Sequence, residues 1–248
     1  MKYGTTDDST VMRGVLLDVG GTLWPDRWPP LREDDKIRLT QIRATLPKLT
    51  LDLILALLNR LRRDEVERHD ALVQDSNGFL REALRDFDLD LNAQEFLALR
   101  EALCVHAQGR FELFPGASDL LKSIRALGLS CAVVTNATWR SGENYRSDFE
   151  DSGVSHCVDA FISSVDAGYR KPHPAIFQAA LSAIRCSASE CVMIGNSEHN
   201  DVQPALALEM HVIRVCIEEP MPITSAAHAV VDSLWEVTTT LRKWLTTS

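Results

Sequence analysis

The strongest constraint in this sequence is a series of short, unbroken apolar runs, each cut off by a polar or glycine-bearing turn. The first is Val15-Leu16-Leu17, ended by Asp18 and then Val19-Gly20-Gly21-Thr22. Others are Cys131-Ala132-Val133-Val134, Ala160-Phe161-Ile162, Cys191-Val192-Met193-Ile194 and Val212-Ile213-Arg214-Val215, with a weaker one at Ala229-Val230-Val231. Runs this short and this apolar read as strands covered on both faces. Between them lie helical spacings, such as Leu120, Leu121, Ile124 and Leu127, and Ile176, Phe177, Ala180, Leu181 and Ile184. Strand alternating with helix predicts an α/β fold, a doubly wound parallel sheet of about five or six strands.

Residues 26–112 break that rhythm. No strand pattern is evident there. Leu51, Ile54, Leu55, Leu58 and Leu61 fall on helical spacing with Thr50 as N-cap, and Leu53 and Leu57 widen the apolar face. Phe79, Leu80, Ala83, Leu84 and Phe87 form a second face, and Asn92 with Glu95 reads as a capping box opening a third helix. The expected organisation is an α/β core from residues 1–25 and 113–248, with 26–112 as an inserted helical cap.

Composition narrows the partners. Twenty-six Lys and Arg against 35 Asp and Glu leave a formal charge of −9, which disfavours a nucleic-acid backbone. No apolar run reaches the ~18 residues of a membrane span, and the polar start lacks a signal-peptide pattern. A cytoplasmic protein is expected, with no membrane partner. The six cysteines form no CxxC pair and read as reduced thiols, several of them buried.

Ligands of parallel α/β sheets bind beyond the carboxyl ends of the strands. The residues expected there are Asp18, Gly20, Gly21 and Thr22 after the first strand, and Thr135 and Asn136 after the second. Arg170 and Lys171 lie in the loop after the third, and Asn196 with Asp201 follows the fourth. An aspartate can serve as a nucleophile if its charge is balanced and an electrophile is held close. Lys171 and Thr135 suit an anionic group, and a divalent cation would screen Asp18 from it.

The stretches Asp18-Val-Gly-Gly-Thr22-Leu23, Val133-Val134-Thr135-Asn136, Lys171-Pro172-His173-Pro174 and Ile194-Gly195-Asn196-Ser197, the last running on to Asp201, resemble in order the four motifs of the haloacid dehalogenase-like hydrolases. Phe114-Pro115-Gly116-Ala117 resembles that family's return from a helical cap. The resemblance covers nearly the whole chain. It implies hydrolysis of small phosphate monoesters, with Asp18 as nucleophile forming an aspartyl-phosphate. Lys171 would join Asp18 as a catalytic group. Gly21, Thr22, Thr135, Asn136 and Lys171 would bind the substrate. Magnesium would be held by Asp18, the Gly20 carbonyl, Asn196 and Asp201, and the partner would be a small phosphorylated metabolite. The chain would be a monomer or a homodimer.

Two positions depart from that pattern. Related phosphatases carry a second aspartate, the general acid, where this chain has Gly20; such help is worth about 10²–10⁴-fold. They also carry an aspartate at Asn196, so magnesium affinity should fall, with Glu198 near enough in sequence to compensate. Both departures are shared with the family's metal-free dehalogenases, but Gly20 and Phe177 stand where those enzymes carry aromatic and tyrosine residues. A binding protein that kept the fold is a third reading.

Plainer readings stand beside these. Asp18, Asn196 and Asp201 could be turn formers, Gly20 and Gly21 could permit a tight turn, Thr135-Asn136 could cap a helix, and Lys171 could be a solvated lysine. Arg60, Arg62, Arg63 and Arg68 read as a solvated basic face or as a hand for the substrate's anionic end. His199 reads as a surface residue or a proton carrier. Trp24 and Trp28 read as packing at the cap hinge or as a substrate wall.

Overall fold

A computed structural model describes residues 11–25, 32–67, 72–105 and 112–247. Among these, six strands form one sheet: β1 (Gly14–Leu17), β2 (Ser130–Thr135), β3 (Ala160–Ser163), β4 (Cys191–Gly195), β5 (His211–Val215) and β6 (Ala229–Val231). Their order is β3-β2-β1-β4-β5-β6, and every pairing is parallel. β1 is the central strand and is buried throughout. Even the weak run at 229–231 is a strand, at the sheet's edge.

Helices follow in chain order: α1 (Arg32–Thr45), α2 (Leu51–Glu67), α3 (Ser76–Asp86), α4 (Ala93–Ala102), α5 (Ala117–Ala126), α6 (Gly142–Asp151), α7 (Ser164–Ala167), α8 (Pro174–Ile184), α9 (Gln203–Ala207) and α10 (Leu234–Thr247). Side chains of a strand alternate between faces. Val15 and Leu17 accordingly meet α5, α6 and α10 on one side through Leu120, Ile124, Phe149, Val237 and Leu241. Leu16 meets α8 and α9 on the other through Ile176, Phe177, Ala180 and Ala205. The sheet is doubly wound, as its sequence pattern implies.

The helices α1–α4 between β1 and β2 have a core of their own, built from Ile42, Ile54, Leu57, Leu61, Leu80, Leu99 and Leu103. The expected caps are present. Thr50 Oγ1 accepts from the Leu53 N–H at 3.3 Å, and Asn92 and Glu95 form a reciprocal capping box. Leu57 lies inside this core and Leu53 packs at its edge. Helix α1 escapes the sequence reading because charges fill half of it and, among its described side chains, Ile42 is the one fully buried anchor. Among the described residues, no helix is long and apolar enough to cross a membrane.

Candidate active site

Strand register sets the site. Leu17 pairs with Val133 of β2 and with Ile194 of β4, so Asp18 emerges between the carboxyl ends of both neighbours. Its N–H extends the ladder to the Ile194 carbonyl at 2.9 Å. Strand order turns back at β1, with β2 and β3 on one side and β4 to β6 on the other. Open α/β sheets form their binding crevice at such a point.

The buried Asp18 carboxylate is held at both oxygens. Lys171 Nζ donates to Oδ1 at 2.6 Å and Thr22 Oγ1 donates to Oδ2 at 3.0 Å. The same ammonium donates to Asp201 Oδ1, also at 2.6 Å, while the Ser197 N–H donates to Asp201 Oδ2 at 2.9 Å. Side-chain exposures of 3% for Lys171, 9% for Asp18 and 1% for Asp201 leave almost no water to screen these charges. Burial alone would lower the Lys171 pKa, but Asp18 and Asp201 outweigh it and the pKa is raised. For Asp201, burial is the largest influence; Lys171 opposes it, the charge on Asp18 adds to it, and the carboxyl is pushed up to about 6.

The turn after β1 is shaped by Gly21, whose φ of 71° lies in the left-handed region. Its N–H donates to the Trp24 carbonyl at 2.8 Å. Trp24 packs away from solvent, stacked on Tyr145 at 6.2 Å and edge-on to Phe149 at 5.4 Å, as hinge packing would have it. Gly195 has a different reason for being small. A Cβ there would stand 2.5 Å from the Asp201 carboxyl carbon, so the close approach of Asp201 to β4 requires glycine.

Several side chains face differently from the sequence expectation. Thr22, expected at the substrate, is fully buried and orients Asp18. Asn136 grips the Lys171 backbone: its Oδ1 accepts from the Lys171 N–H at 2.7 Å and its Nδ2 donates to the Lys171 carbonyl at 3.0 Å. Thr135 is buried at the end of β2, 5% exposed. Glu198 does not compensate for Asn196. Its carboxylate is taken by Arg214 at 2.9 Å, Ser225 at 2.7 Å and the Ala226 N–H at 3.0 Å. His199 is exposed. Arg60 pairs with Asp86 at 2.9 Å on a helix surface, and Trp28 and Arg68 lie outside the described residues.

Arg214 was not foreseen as a site residue. Its Nε donates to the Asn196 carbonyl at 3.0 Å and its NH1 to Glu198, tying the fourth loop to β5. A charged residue inside an otherwise apolar strand is the signal that could have revealed it. Asn196 and Gly21 line a cavity of about 260 Å³ with residues 215–219.

The donor set bears on a metal ion. Asp18, the Gly20 carbonyl and the Asn196 amide are hard oxygen donors on one rim, a chemistry that suits Mg²⁺. Only one of them is charged. Asp201, expected as a further ligand, has both oxygens engaged by Lys171 and Ser197. Among the described residues, no three His, Cys, Asp or Glu side chains gather into a metal-holding group.

Known proteins place this arrangement. The chain is 24% identical to a ribulose-1,5-bisphosphate 5-phosphatase of Halopiger xanaduensis over 86% of its own length and 88% of the relative's. It is 30% identical to a phosphoserine phosphatase of Thermus thermophilus, but over only 39% of this chain and 37% of that one. It likewise spans 43% of the bovine haloacid dehalogenase-like hydrolase domain-containing protein 3, at 32% identity. In fold it resembles a 2-haloacid dehalogenase from Pseudomonas syringae, with a TM-score of 0.68, 22% identity and coverage of 94% and 100% of the two chains. A HAD phosphatase from Thermococcus onnurineus gives a TM-score of 0.61 at 21% identity, covering 93% and 98%. The model of the haloacid dehalogenase-like hydrolases matches residues 12–208, which takes in all four loops around Asp18, and the chain therefore belongs to that family.

Proposed function

We propose that this protein is a phosphatase of small phosphate monoesters acting through an aspartyl-phosphate on Asp18. The observation that carries the reading is the pair of fixed donors on that carboxylate, Lys171 at 2.6 Å and Thr22 at 3.0 Å. They fix the carboxylate in place at the carboxyl edge of the sheet, as a positioned nucleophile needs. An Asp18 oxygen forms a bond to phosphorus while the ester P–O bond breaks, and the departing alkoxide takes up a proton. Water then cleaves the acyl phosphate, releasing inorganic phosphate and restoring the carboxylate. Thr135 and Lys171 bind the phosphoryl oxygens. Asn136 serves by fixing the Lys171 backbone, and Asp201 by holding its ammonium from behind.

Gly20 offers no side-chain acid, so the leaving group draws its proton from solvent or from the substrate. Asp18, the Gly20 carbonyl and Asn196 are the residues that would hold magnesium. When bound, the ion would screen Asp18 from the anionic ester. Helices α1–α4, with their separate core, are the cap that selects the substrate.

Metal-independent dehalogenation is a second reading. It is favoured by the neutral Asn196, by Gly20, and by Glu198 being bound elsewhere. A panel of phosphorylated metabolites and an aryl phosphate, with and without magnesium, separates the two when run beside 2-haloacids. Phosphate release lost in Asp18→Asn supports the phosphatase. Halide release instead would replace it with the second reading, and no turnover of either class would make the chain a binding protein.

A further inference from the structure

The segment 72–76, which leads into α3, lies far in sequence from both phosphate-binding loops yet is joined to each. Val73 pairs with Tyr169 in an antiparallel bridge. The Gln74 N–H donates to the Gly168 carbonyl at 3.0 Å, and the Arg170 N–H to the Leu72 carbonyl at 2.8 Å. These contacts reach the loop that carries Lys171. Gln74 itself is 6% exposed, and both halves of its amide are used. Its Oε1 accepts from Arg170 NH1 at 2.8 Å. Its Nε2 donates to Ser76 Oγ at 3.0 Å and to the Thr138 carbonyl at 3.2 Å. Ser76 Oγ donates to that same carbonyl, and Arg170 NH1 also reaches the Ala137 carbonyl at 3.2 Å.

Two amide side chains therefore span the same pair of loops. Asn136 does so from the core by gripping the Lys171 backbone, and Gln74 does so from the helical insert. A buried amide is satisfied only while its partners keep their spacing, because an unpaired buried polar group is costly. Lys171 has little freedom, since its ammonium must meet Asp18 and Asp201 together at 2.6 Å each. A shift in its backbone changes the geometry that these two contacts must keep.

We propose that Gln74 is a positioning residue for Lys171, acting through Arg170, and that it makes the helical insert part of the anion-binding machinery rather than a lid hinged free of it. The catalytic side of this inference rests on the phosphatase reading; the structural side does not.

The test uses the full chain and two variants. Gln74→Leu keeps the volume and removes both halves of the amide. Gln74→Glu keeps an acceptor for Arg170 and loses the donor to Thr138. Two readouts are taken: kcat and KM on whichever phosphate ester the wild type turns over, and amide hydrogen exchange followed by peptide. In Gln74→Leu we expect kcat to fall about tenfold, with exchange about tenfold faster in peptides covering 136–139 and 168–172 and unchanged over β4 and α8. Gln74→Glu should stay within about threefold of wild type in kcat and retain protection at 168–172, because the Arg170 contact persists. Wild-type kcat and protection in Gln74→Leu would overturn the proposal, as would equal losses in both variants, since the loss they share is the donor to Thr138 and not the Arg170 contact. If the wild type turns over no phosphate ester, the phosphatase reading fails and the exchange pattern alone still decides whether Gln74 holds the Lys171 loop.

Discussion

Lys171 Nζ lies 2.6 Å from Asp18 Oδ1, although 153 residues separate the two in the chain. Asp201 receives the same ammonium at the same distance. The net charge of this dry group of three is negative. One cation is thus shared between two carboxylates.

Asp18→Asn should abolish hydrolysis and leave the fold intact. The amide keeps the shape of the carboxylate: its Oδ1 can still accept from Lys171, and its NH2 can donate to the Thr22 hydroxyl, but it cannot form the covalent intermediate. Circular dichroism and turnover on one preparation check this. Turnover that survives in pure Asp18→Asn protein would remove Asp18 as nucleophile.

Asp201 makes stability depend on pH in a definite direction. Its carboxyl is raised from 3.8 to about 6 by burial, against the opposing Lys171. The folded state therefore holds the proton more tightly than the unfolded chain does. This contribution to stability is full below about pH 4 and is lost as pH rises through about 6. Urea midpoints of wild type and Asp201→Asn, measured in chelator between pH 4 and 7, should differ by a component that falls with pH in the wild type only. Parallel curves would show Asp201 ionising like an exposed aspartate.

Gly20→Asp should speed turnover, and more for alkyl than for aryl phosphates, since a poor leaving group needs the proton more. A tenfold gain is ~1.4 kcal/mol of barrier. Backbone strain does not stand in the way, because the left-handed residue of this turn is Gly21 and not Gly20. No gain on either substrate class, with an unchanged melting temperature, would refute the account of a missing acid.

Asn196→Asp should tighten magnesium binding, because it adds a second formal charge to a donor set in which only Asp18 is charged. Calorimetric titration of both proteins reads this without reference to activity. Equal affinities would place residue 196 outside any metal site.

Gly195→Ala should destabilise the protein by about 1–3 kcal/mol and disturb Lys171 as well. The new Cβ would stand 2.5 Å from the Asp201 carboxyl carbon, and moving Asp201 removes one of the two carboxylates that hold the ammonium. Denaturant unfolding measures the first effect. A stability equal to wild type would mean that the β4 backbone yields easily.

The sequence alone determined the parallel sheet and the positions of its strand ends, because a strand buried on both faces must be apolar without interruption and must stop where polar groups begin. It also placed Asp18, Thr135, Lys171 and Asp201 in or beside the loops at the carboxyl ends of those strands, where the structure brings Lys171 onto Asp18 and Asp201. Which way each of these side chains faces was decided only by tertiary structure. Thr22 turned to Asp18, Asn136 to the Lys171 backbone and Glu198 to Arg214, contacts that exist only once the loops have packed. No periodicity encodes that choice. Gln74 shows the same limit most plainly: nothing in its local sequence marks it, and it joins the Lys171 loop only because a strand-like bridge brings residues 73 and 169 together across the fold.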